Sequence, residues 1–327
     1  MTDTTLSDGL LDAIWEAYAA RGIGPIQVAI GNGVRYQLID RVRQLRPTRI
    51  ALLMDASPMR SPEGSLKDWV AQQLAGLDIP VDPVILPAST TADETAVESA
   101  TAGCAAADVV VTVGSGTISD LGKVAAGDRP HLIVQTAASV NGYSDNESVL
   151  LRSGVKRTAH SAYAHTLLAD VEIIALAPPE LNRSGLVDMI SMFTAPADWY
   201  LAGQVGMDEN WLPDAALLAR RYGRQLMAAS AGIGDSRPEE LELLSRLLTP
   251  QRHLDGHGWP DLSVLRDGAH GLAHAGHVGD RAAPAAPAAW STGGGDYVVV
   301  VPPVAAGGRG TRFREVSGGS SAEPIGS

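Results

Sequence analysis

The strongest constraint on the fold is the segment ADVVVTVGSGTISDLGKVAA at 107–126, where β-branched residues lead through a Gly-Ser-Gly turn into a helical pattern. This order predicts a buried strand, a tight turn and a helix. Because Gly114 and Gly116 have no Cβ, the backbone there can turn sharply and let a ligand approach its N–H groups. The helix start near Thr117 favours an anion such as a nucleotide diphosphate, and Asp120 suits that end of the helix. An ordinary βα turn shows the same pattern, so other features must decide.

Further apolar segments alternate with helical patterns along the first half of the chain. Continuous apolar strands of this kind indicate a parallel sheet that helices cover on both faces. The predicted strands occupy 25–33, 49–57, 78–87, 108–114, 131–139 and 167–174, and the predicted helices occupy 34–45, 65–77 and 93–107. We therefore expect an α/β protein whose residues 1–178 form a parallel-sheet nucleotide-binding domain.

Polar and glycine residues lie at the ends of four predicted strands, where the ligands of parallel sheets bind. These ends are Gly31 with Gly33, Asp55, 114–117 and 136–139. Asp55 ends the strand ALLMD, where a carboxylate can accept hydrogen bonds from the ribose hydroxyls of an adenine dinucleotide. A turn or helix-capping role explains Asp55 equally well.

After Pro178 the pattern becomes helical, which predicts the start of an all-helical domain over 179–250. Asp188 lies among apolar residues in GLVDMISMF, and Asp198 follows in APADWYLAG. A carboxylate on an apolar helix needs a partner such as a cation, a metal ion or a cap. For Asp188, a buried salt bridge remains the main alternative to a ligand role. Residues 251–327 lack helical periodicity and caps, and we expect an irregular, disordered tail.

Composition narrows the class of protein. The chain has 327 residues, a net charge of −12 and no apolar run long enough to span a bilayer. The negative charge argues against nucleic acid or an anionic membrane as the main partner. The acidic N-terminus lacks the features of a signal peptide, and a single cysteine, Cys104, fits a reducing cytosol. We expect a soluble, cytoplasmic protein.

Five motifs occur in a specific order: GSGTISDLGK, QTAASVNGYSDN, GVKRT, LLADVEII and SGLVDMISMFTAPADWYL. In this order and spacing, the chain resembles the glycerol-1-phosphate dehydrogenase branch of the iron-containing alcohol dehydrogenase and dehydroquinate synthase-like superfamily. The resemblance implies NAD or NADP and a divalent metal ion (zinc, iron or nickel) in a cleft between an α/β domain and a helical domain. The implied partner is a small phosphorylated polyol or ketone, in phospholipid metabolism, and assembly into a homo-oligomer stays open.

The resemblance also implies residue roles. The pyrophosphate and nicotinamide side of the cofactor would contact Gly114, Ser115, Gly116, Thr117 and Asp120. Asp55 would hold the adenosine ribose, and Thr136 and Ser139 would line the nicotinamide pocket.

On the substrate side, Asp188 matches the first metal ligand of the family. Asn141 stands where many relatives carry Asp, so its substrate contact departs from the family pattern. Lys156 in GVKRT is implied as a phosphate or substrate contact, and a solvated surface lysine explains it equally well. The metal would act as a Lewis acid on the substrate hydroxyl.

The family's two histidine motifs, resembling SGxEHxxSHxLD and HGxQVG, are absent from the chain. His270, His274 and His277 have a spacing that suggests metal ligands, but the surrounding Gly, Ala and Pro disfavour the helix that would present them. Under a one-base shift of reading frame, LRDGAHGLAHAGHVGD from Leu265 is compatible with SGTEHTASHTLDMSET, and AAWSTGGGDY at 288–297 with PHGAQVGVTT.

Both missing motifs thus return in one frame and in the expected order. We infer a frameshift near residue 250, biological or from sequencing. It requires GCA codons at Ala269, Ala273 and Ala289, and any other codon there would exclude it.

The leading interpretation is an NAD(P)- and metal-dependent oxidoreductase that interconverts glycerol 1-phosphate and dihydroxyacetone phosphate, impaired in the chain as it stands. One alternative is a dehydroquinate synthase-like cyclase, which uses NAD transiently and eliminates phosphate. Another is a non-catalytic nucleotide-binding remnant. The motifs GLVDMISMFTAPADWYL and TAASVNGY favour the dehydrogenase.

Overall fold

The computed structural model of the protein describes residues 26–206 and 213–249. The tail expected over 251–327, together with His270, His274 and His277, lies outside the described residues.

Strands and helices alternate through the first part of the described chain. The strands are β1 (Gln27–Gly31), β2 (Ile50–Asp55), β3 (Arg60–Ser61), β4 (Gly64–Ser65), β5 (Val81–Leu86), β6 (Val109–Gly114), β7 (His131–Gln135), β8 (Glu147–Arg152), β9 (Val155–His160) and β10 (Thr166–Asp170). The helices are α1 (Leu38–Gln44), α2 (Leu66–Ala75), α3 (Glu94–Cys104), α4 (Gly116–Ala126), α5 (Val171–Ala175), α6 (Pro179–Gln204), α7 (Pro213–Gly234) and α8 (Pro238–Leu248).

Six of the strands form one sheet in the order β5-β2-β6-β7-β10-β1, and all neighbouring pairs are parallel. Residues of α1 and α2 pack on one face, and residues of α3 and α4 pack on the other. The central strands β2, β6, β7 and β10 are buried along their whole length. The α/β fold expected from the apolar segments is thereby confirmed.

The sheet has a topological switch point between β2 and β6. From β2 the chain continues outward to β5, whereas β6 lies on the other side of β2 and leads to β7 and β10. The connecting helices therefore diverge beyond the carboxyl ends of β2 and β6. This divergence leaves a crevice, which is where open α/β sheets bind ligands.

Three local features differ from the sequence expectation. The strand expected over 167–174 ends at Asp170, whose carboxylate accepts a hydrogen bond from the Glu172 N–H and caps α5. The helix expected over 34–45 begins with a 3₁₀ turn, Val34–Gln37. Two antiparallel hairpins, β3-β4 and β8-β9, had no counterpart in the predicted elements.

Helices α6, α7 and α8 share a hydrophobic cluster with residues of β1 and β10. Gly185 of α6 allows a close approach, because a Cβ there would stand 1.9 Å from the carbonyl oxygen of Ala138. Helix α6 is thus held against the segment that follows β7. Asp198, on the same helix, is exposed and needs no buried partner. None of the described helices is both long enough and apolar enough to cross a membrane.

Candidate functional site

A pocket of about 490 Å³ opens at the switch point of the sheet. It brings together Asp55 from the end of β2, Ser115 and Thr117 from the start of α4, and Thr136 after β7. These four residues come from three of the strand ends singled out in the sequence. The pocket is also lined by Ile173 and by residues 176–179 and 181. It therefore combines polar strand ends with a largely apolar group of residues.

The first turn of α4 faces this pocket through Ser115, Thr117 and Ile118. Ser115 is the N-cap residue, and its carbonyl accepts the Ser119 N–H at 3.0 Å. Backbone N–H groups earlier in the turn have no acceptor within the helix. Together with the positive end of the helix dipole, they suit the pyrophosphate of a nucleotide.

The two glycines of the turn are required for packing, a reason that the sequence did not reveal, and the ligand approach expected from sequence stays a prediction. Neither Gly114 nor Gly116 adopts a positive φ. A Cβ on Gly114 would stand 2.4 Å from Cβ of Ile118, and one on Gly116 would stand 2.9 Å from Cγ2 of Val140. The glycines therefore let α4 approach β6 and the segment after β7, and a sharp left-handed turn is not their role.

Asp55 lies at the edge of the pocket with its carboxylate held by neighbours. Lys67 donates to Oδ1 at 2.6 Å, and the Ser57 hydroxyl donates to Oδ2 at 2.7 Å. The Ser57 N–H also donates to Oδ1, at 3.3 Å. The carboxylate is thus fixed in orientation at the position from which a ribose could be bound. Its contact with a ribose stays a prediction.

Asp120 has its carboxylate directed toward the β8-β9 hairpin. Oδ2 accepts the Val149 N–H at 3.1 Å, and Oδ1 lies 3.2 Å from Nζ of Lys123. Lys123 is fully buried and also donates to the Gly142 carbonyl, the Asp145 carboxylate and the Glu147 carbonyl. This network fastens the segment after β7 to α4. Asp120 therefore has a structural role in the described residues and does not line the pocket, and its expected cofactor contact stays a prediction.

A second pocket, of about 580 Å³, lies on the other side of the same segment. It is lined by Ser139, Val140, Glu180, Arg183, Ser184, Val187 and Asp188. The two pockets adjoin, because 136–140 and the first turns of α6 contribute to both. Ser139 is therefore placed at the second pocket, where its hydroxyl lies 3.0 Å from the Tyr143 hydroxyl.

Asp188 has a partly buried carboxylate at this second pocket. Its Oδ2 accepts the Asn141 N–H at 2.8 Å, so the backbone of Asn141, rather than its side chain, makes the observed contact. Burial raises the pKa of Asp188, and the hydrogen bond from Asn141 offsets only part of that rise. The carboxylate is thus desolvated on a wall that also carries the guanidinium of Arg183.

The described residues do not make up a metal site. Within 26–206 and 213–249, no group of three His, Cys, Asp or Glu side chains is placed to hold an ion. Asp188 provides one carboxylate at the second pocket, whereas a catalytic divalent ion usually needs about three protein ligands. The donor set in hand therefore does not fit the implied metal.

Lys156 lies apart from both pockets. It is exposed on β9 and is not among the residues that line either cavity. Gly31 and Gly33, also singled out in the sequence, lie beside β10, where the Gly33 N–H donates to Asp170 at 3.3 Å.

Sequence reasoning missed two lysines that organise the site. Lys67 holds Asp55, and Lys123 holds the segment after β7. For Lys123 the signal was present, since a lysine on the apolar face of a predicted helix needs a buried partner. For Lys67 it was not, because its partners lie on a neighbouring strand end.

A parallel sheet with a pocket at its switch point and a helix N-terminus at that pocket is the arrangement in which open α/β sheets bind nucleotides. Residues 29–178 match the family model described as iron-containing alcohol dehydrogenase. This segment of the chain therefore belongs to the iron-containing alcohol dehydrogenase superfamily.

Two relatives lie in the glycerol-1-phosphate dehydrogenase branch. A glycerol-1-phosphate dehydrogenase [NAD(P)+] of Bacillus licheniformis is 32% identical over 230 residues, covering 68% of this chain and 56% of the relative. One from Methanosarcina barkeri is 28% identical over 226 residues, covering 68% of this chain and 61% of the relative. The chain thus spans little more than half the length of these curated relatives.

Solved structures share the fold. A maleylacetate reductase from a Rhizobium species has a TM-score of 0.53 at 20% identity, covering 69% of this chain and 63% of its own. An NADH-dependent butanol dehydrogenase from Thermotoga maritima has a TM-score of 0.54 at 14% identity, covering 69% and 62%. At these identities the likeness concerns the fold alone.

Proposed function

We propose that the chain binds NAD or NADP in the pocket at the switch point. The observation that carries this proposal is the convergence of Asp55, Ser115, Thr117 and Thr136 around one cavity. The first turn of α4 would bind the pyrophosphate, the end of β2 would hold the adenosine ribose, and the nicotinamide would extend past Thr136 toward Ser139. The boundaries that we propose are a dinucleotide domain over 1–178 and the start of a substrate domain over 179–250.

The reaction for which this cleft is suited is reduction of dihydroxyacetone phosphate to glycerol 1-phosphate. Hydride would pass from the nicotinamide to the carbonyl carbon, and the carbonyl oxygen would take up a proton from solvent. Arg183, which lines the second pocket and donates from Nη2 to the Gly234 carbonyl at 2.9 Å, would provide the cation for the substrate phosphate. The same chemistry run backward would oxidise glycerol 1-phosphate. Both relatives named above carry that activity in their names.

Turnover by the chain as it stands should be very low. Stabilising the oxygen that becomes an alkoxide needs a Lewis acid or a positioned donor, and the described residues do not assemble a metal site there. We therefore expect the chain to bind the cofactor, which the described residues support, without efficient catalysis. We place the protein in the cytoplasm, with a phosphorylated three-carbon substrate and with no nucleic-acid partner.

Calorimetry with NADH and NADPH on the purified chain tests cofactor binding. Micromolar affinity supports the proposal, and no detectable binding of either nucleotide contradicts it. Thr117→Ile, which places a bulky side chain at the pocket wall, should weaken binding. Val149→Thr, on the exposed face of the β8-β9 hairpin, is the matched control and should not.

A second experiment compares the chain with a version whose reading frame is restored after residue 250. The restored chain should bind a divalent ion and oxidise NAD(P)H with dihydroxyacetone phosphate, in a reaction that a chelator stops. The chain as it stands should do neither. Release of inorganic phosphate without net change in the cofactor would instead assign a cyclase. Chelator-sensitive turnover by the unrestored chain would show that it carries a complete metal site.

A further inference from the structure

Lys67 contacts Asp55 and Ser57, two residues that line the pocket at the switch point. Its Nζ donates to the Asp55 carboxylate at 2.6 Å, to the Ser57 carbonyl at 2.6 Å, and to the carbonyl of Asp55 itself. These three acceptors use the three donors of an ammonium group. Two of them are backbone oxygens, so the ammonium stays beside Asp55 even when the carboxylate changes its partners.

The charge of Lys67 interacts unfavourably with the dipole of the helix that carries it. It is the second residue of α2, and a cation in the first turn faces the positive end of the helix dipole. Ser65 caps the helix by accepting the Asp68 N–H at 3.3 Å, so Lys67 is not needed to start it. The ion pair is also largely shielded from solvent, with 11% of each side chain exposed. Low exposure increases the effect of this charge on anything bound nearby.

If NAD(P) binds as proposed, the charge of Lys67 acts on the substituent at the 2′ position of the adenosine ribose, which is a hydroxyl in NAD and a phosphate in NADP. A lone Asp55 carboxylate would favour the two hydroxyls of NAD and repel the 2′-phosphate of NADP. The Asp55–Lys67 pair has no net charge, and Arg60 is the other charged residue that lines this pocket. We propose that Lys67 is a specificity-determining residue that neutralises Asp55 and lets the pocket accept NADPH as well as NADH.

The test is the ratio of two dissociation constants, NADPH over NADH, measured by calorimetry on the full chain. In Lys67→Gln the end of β2 keeps an uncompensated negative charge, so the ratio should rise about tenfold. In Asp55→Asn the uncompensated charge is positive, so the ratio should fall. In the double variant the net charge is again zero, and the ratio should return to within about threefold of the parent. Arg43 is an exposed residue of α1 that pairs with Asp40 and does not line the pocket, so Arg43→Gln removes the same charge and should leave the ratio unchanged.

A ratio is insensitive to a general loss of affinity, so it separates charge from packing. If Lys67→Gln weakens the binding of both nucleotides equally, the ratio stays at the parent value. That result would overturn the proposal and leave Lys67 a purely structural role. Loss of the effect at high salt would support an electrostatic origin. If the parent chain binds neither nucleotide, the proposed function itself fails. If the parent binds both but Lys67→Gln leaves the ratio as it was, only the role of Lys67 fails.

Discussion

Gly116→Ala distinguishes a glycine required for packing from one required by the ligand. A methyl group at this position would lie 2.9 Å from Cγ2 and 3.6 Å from Cγ1 of Val140. The first distance is shorter than ordinary van der Waals contact, so Val140 or α4 must shift. Overpacking of this kind costs about 1–3 kcal/mol, and replacing glycine by alanine in a helix returns up to about 1 kcal/mol. We expect the free energy of unfolding to fall by about 1 kcal/mol.

The matched variant is Val140→Ala, which removes the colliding methyl groups. In the double variant the alanine at position 116 has room, so most of the loss caused by Gly116→Ala should disappear. The coupling energy between the two substitutions, from urea unfolding of all four proteins, should be about 1 kcal/mol. NADH affinity should change little in Gly116→Ala, because the new methyl group points at Val140, which lines the other pocket.

The opposite pattern would refute this reasoning. If Gly116→Ala weakens NADH binding tenfold or more while stability is unchanged, the position faces the nucleotide, as the sequence motif suggests. Failure of Val140→Ala to restore the single variant would point the same way.

Three further predictions follow from the structure. Burial, reinforced by the charge of Lys123, lowers the pKa of His131 from 6.5 to about 3. Between these two pH values the unfolded chain binds a proton at His131 and the folded chain does not, so stability is lost as the pH falls through this range. Between pH 7 and 5 the loss should be about 2 kcal/mol in urea unfolding; His131→Gln should flatten this slope, whereas His160→Gln, on the exposed end of β9, should retain it. Gly185→Ala should destabilise the protein by about 3 kcal/mol or more, because its Cβ meets backbone, and an unchanged melting curve would refute the close approach of α6. In the frame-restored chain, Asp188→Asn should abolish stoichiometric metal, measured by elemental analysis, while NADH affinity remains; retained metal would remove Asp188 from the ligand set.

The four central strands of the main sheet could be predicted because each is a short, mainly apolar run. Strands buried on both faces carry that signature independently of their neighbours. The β8-β9 hairpin carries no such signal. Residues 155–160 are exposed or half-buried, so nothing in the sequence marks them as a strand. The hairpin is instead specified by tertiary contacts, including the Asp120 carboxylate on the Val149 N–H.

The candidate site likewise contains features that the sequence predicts and features that depend on packing. The strand ends that bear Asp55, Ser115 and Thr136 meet because parallel strands end at one edge of the sheet, a consequence that sequence order alone supplies. The roles of Lys67 and Gly116 could be recognised only from the three-dimensional structure. The Asp55 partner of Lys67 is 12 residues away, and the collision that a Cβ at Gly116 would cause is with a residue from another segment. Such pairings depend on how elements pack, and a residue type by itself does not encode them.

The two pockets also differ in how many of the residues that they need lie within the described chain. The pocket at the switch point is lined by described residues from several strand ends, whereas the second pocket holds the desolvated Asp188 without a set of three metal-ligating side chains among the described residues. The end of α8 lies close to this helix, since Leu248 is 3.0 Å from the Cβ position of Gly185, one turn before Asp188. The described chain thus ends close to α6. If the frame is restored after residue 250, as we infer from the sequence, the added residues would continue from this end of α8, and we expect the two histidine motifs to supply the ligands that Asp188 lacks among the described residues.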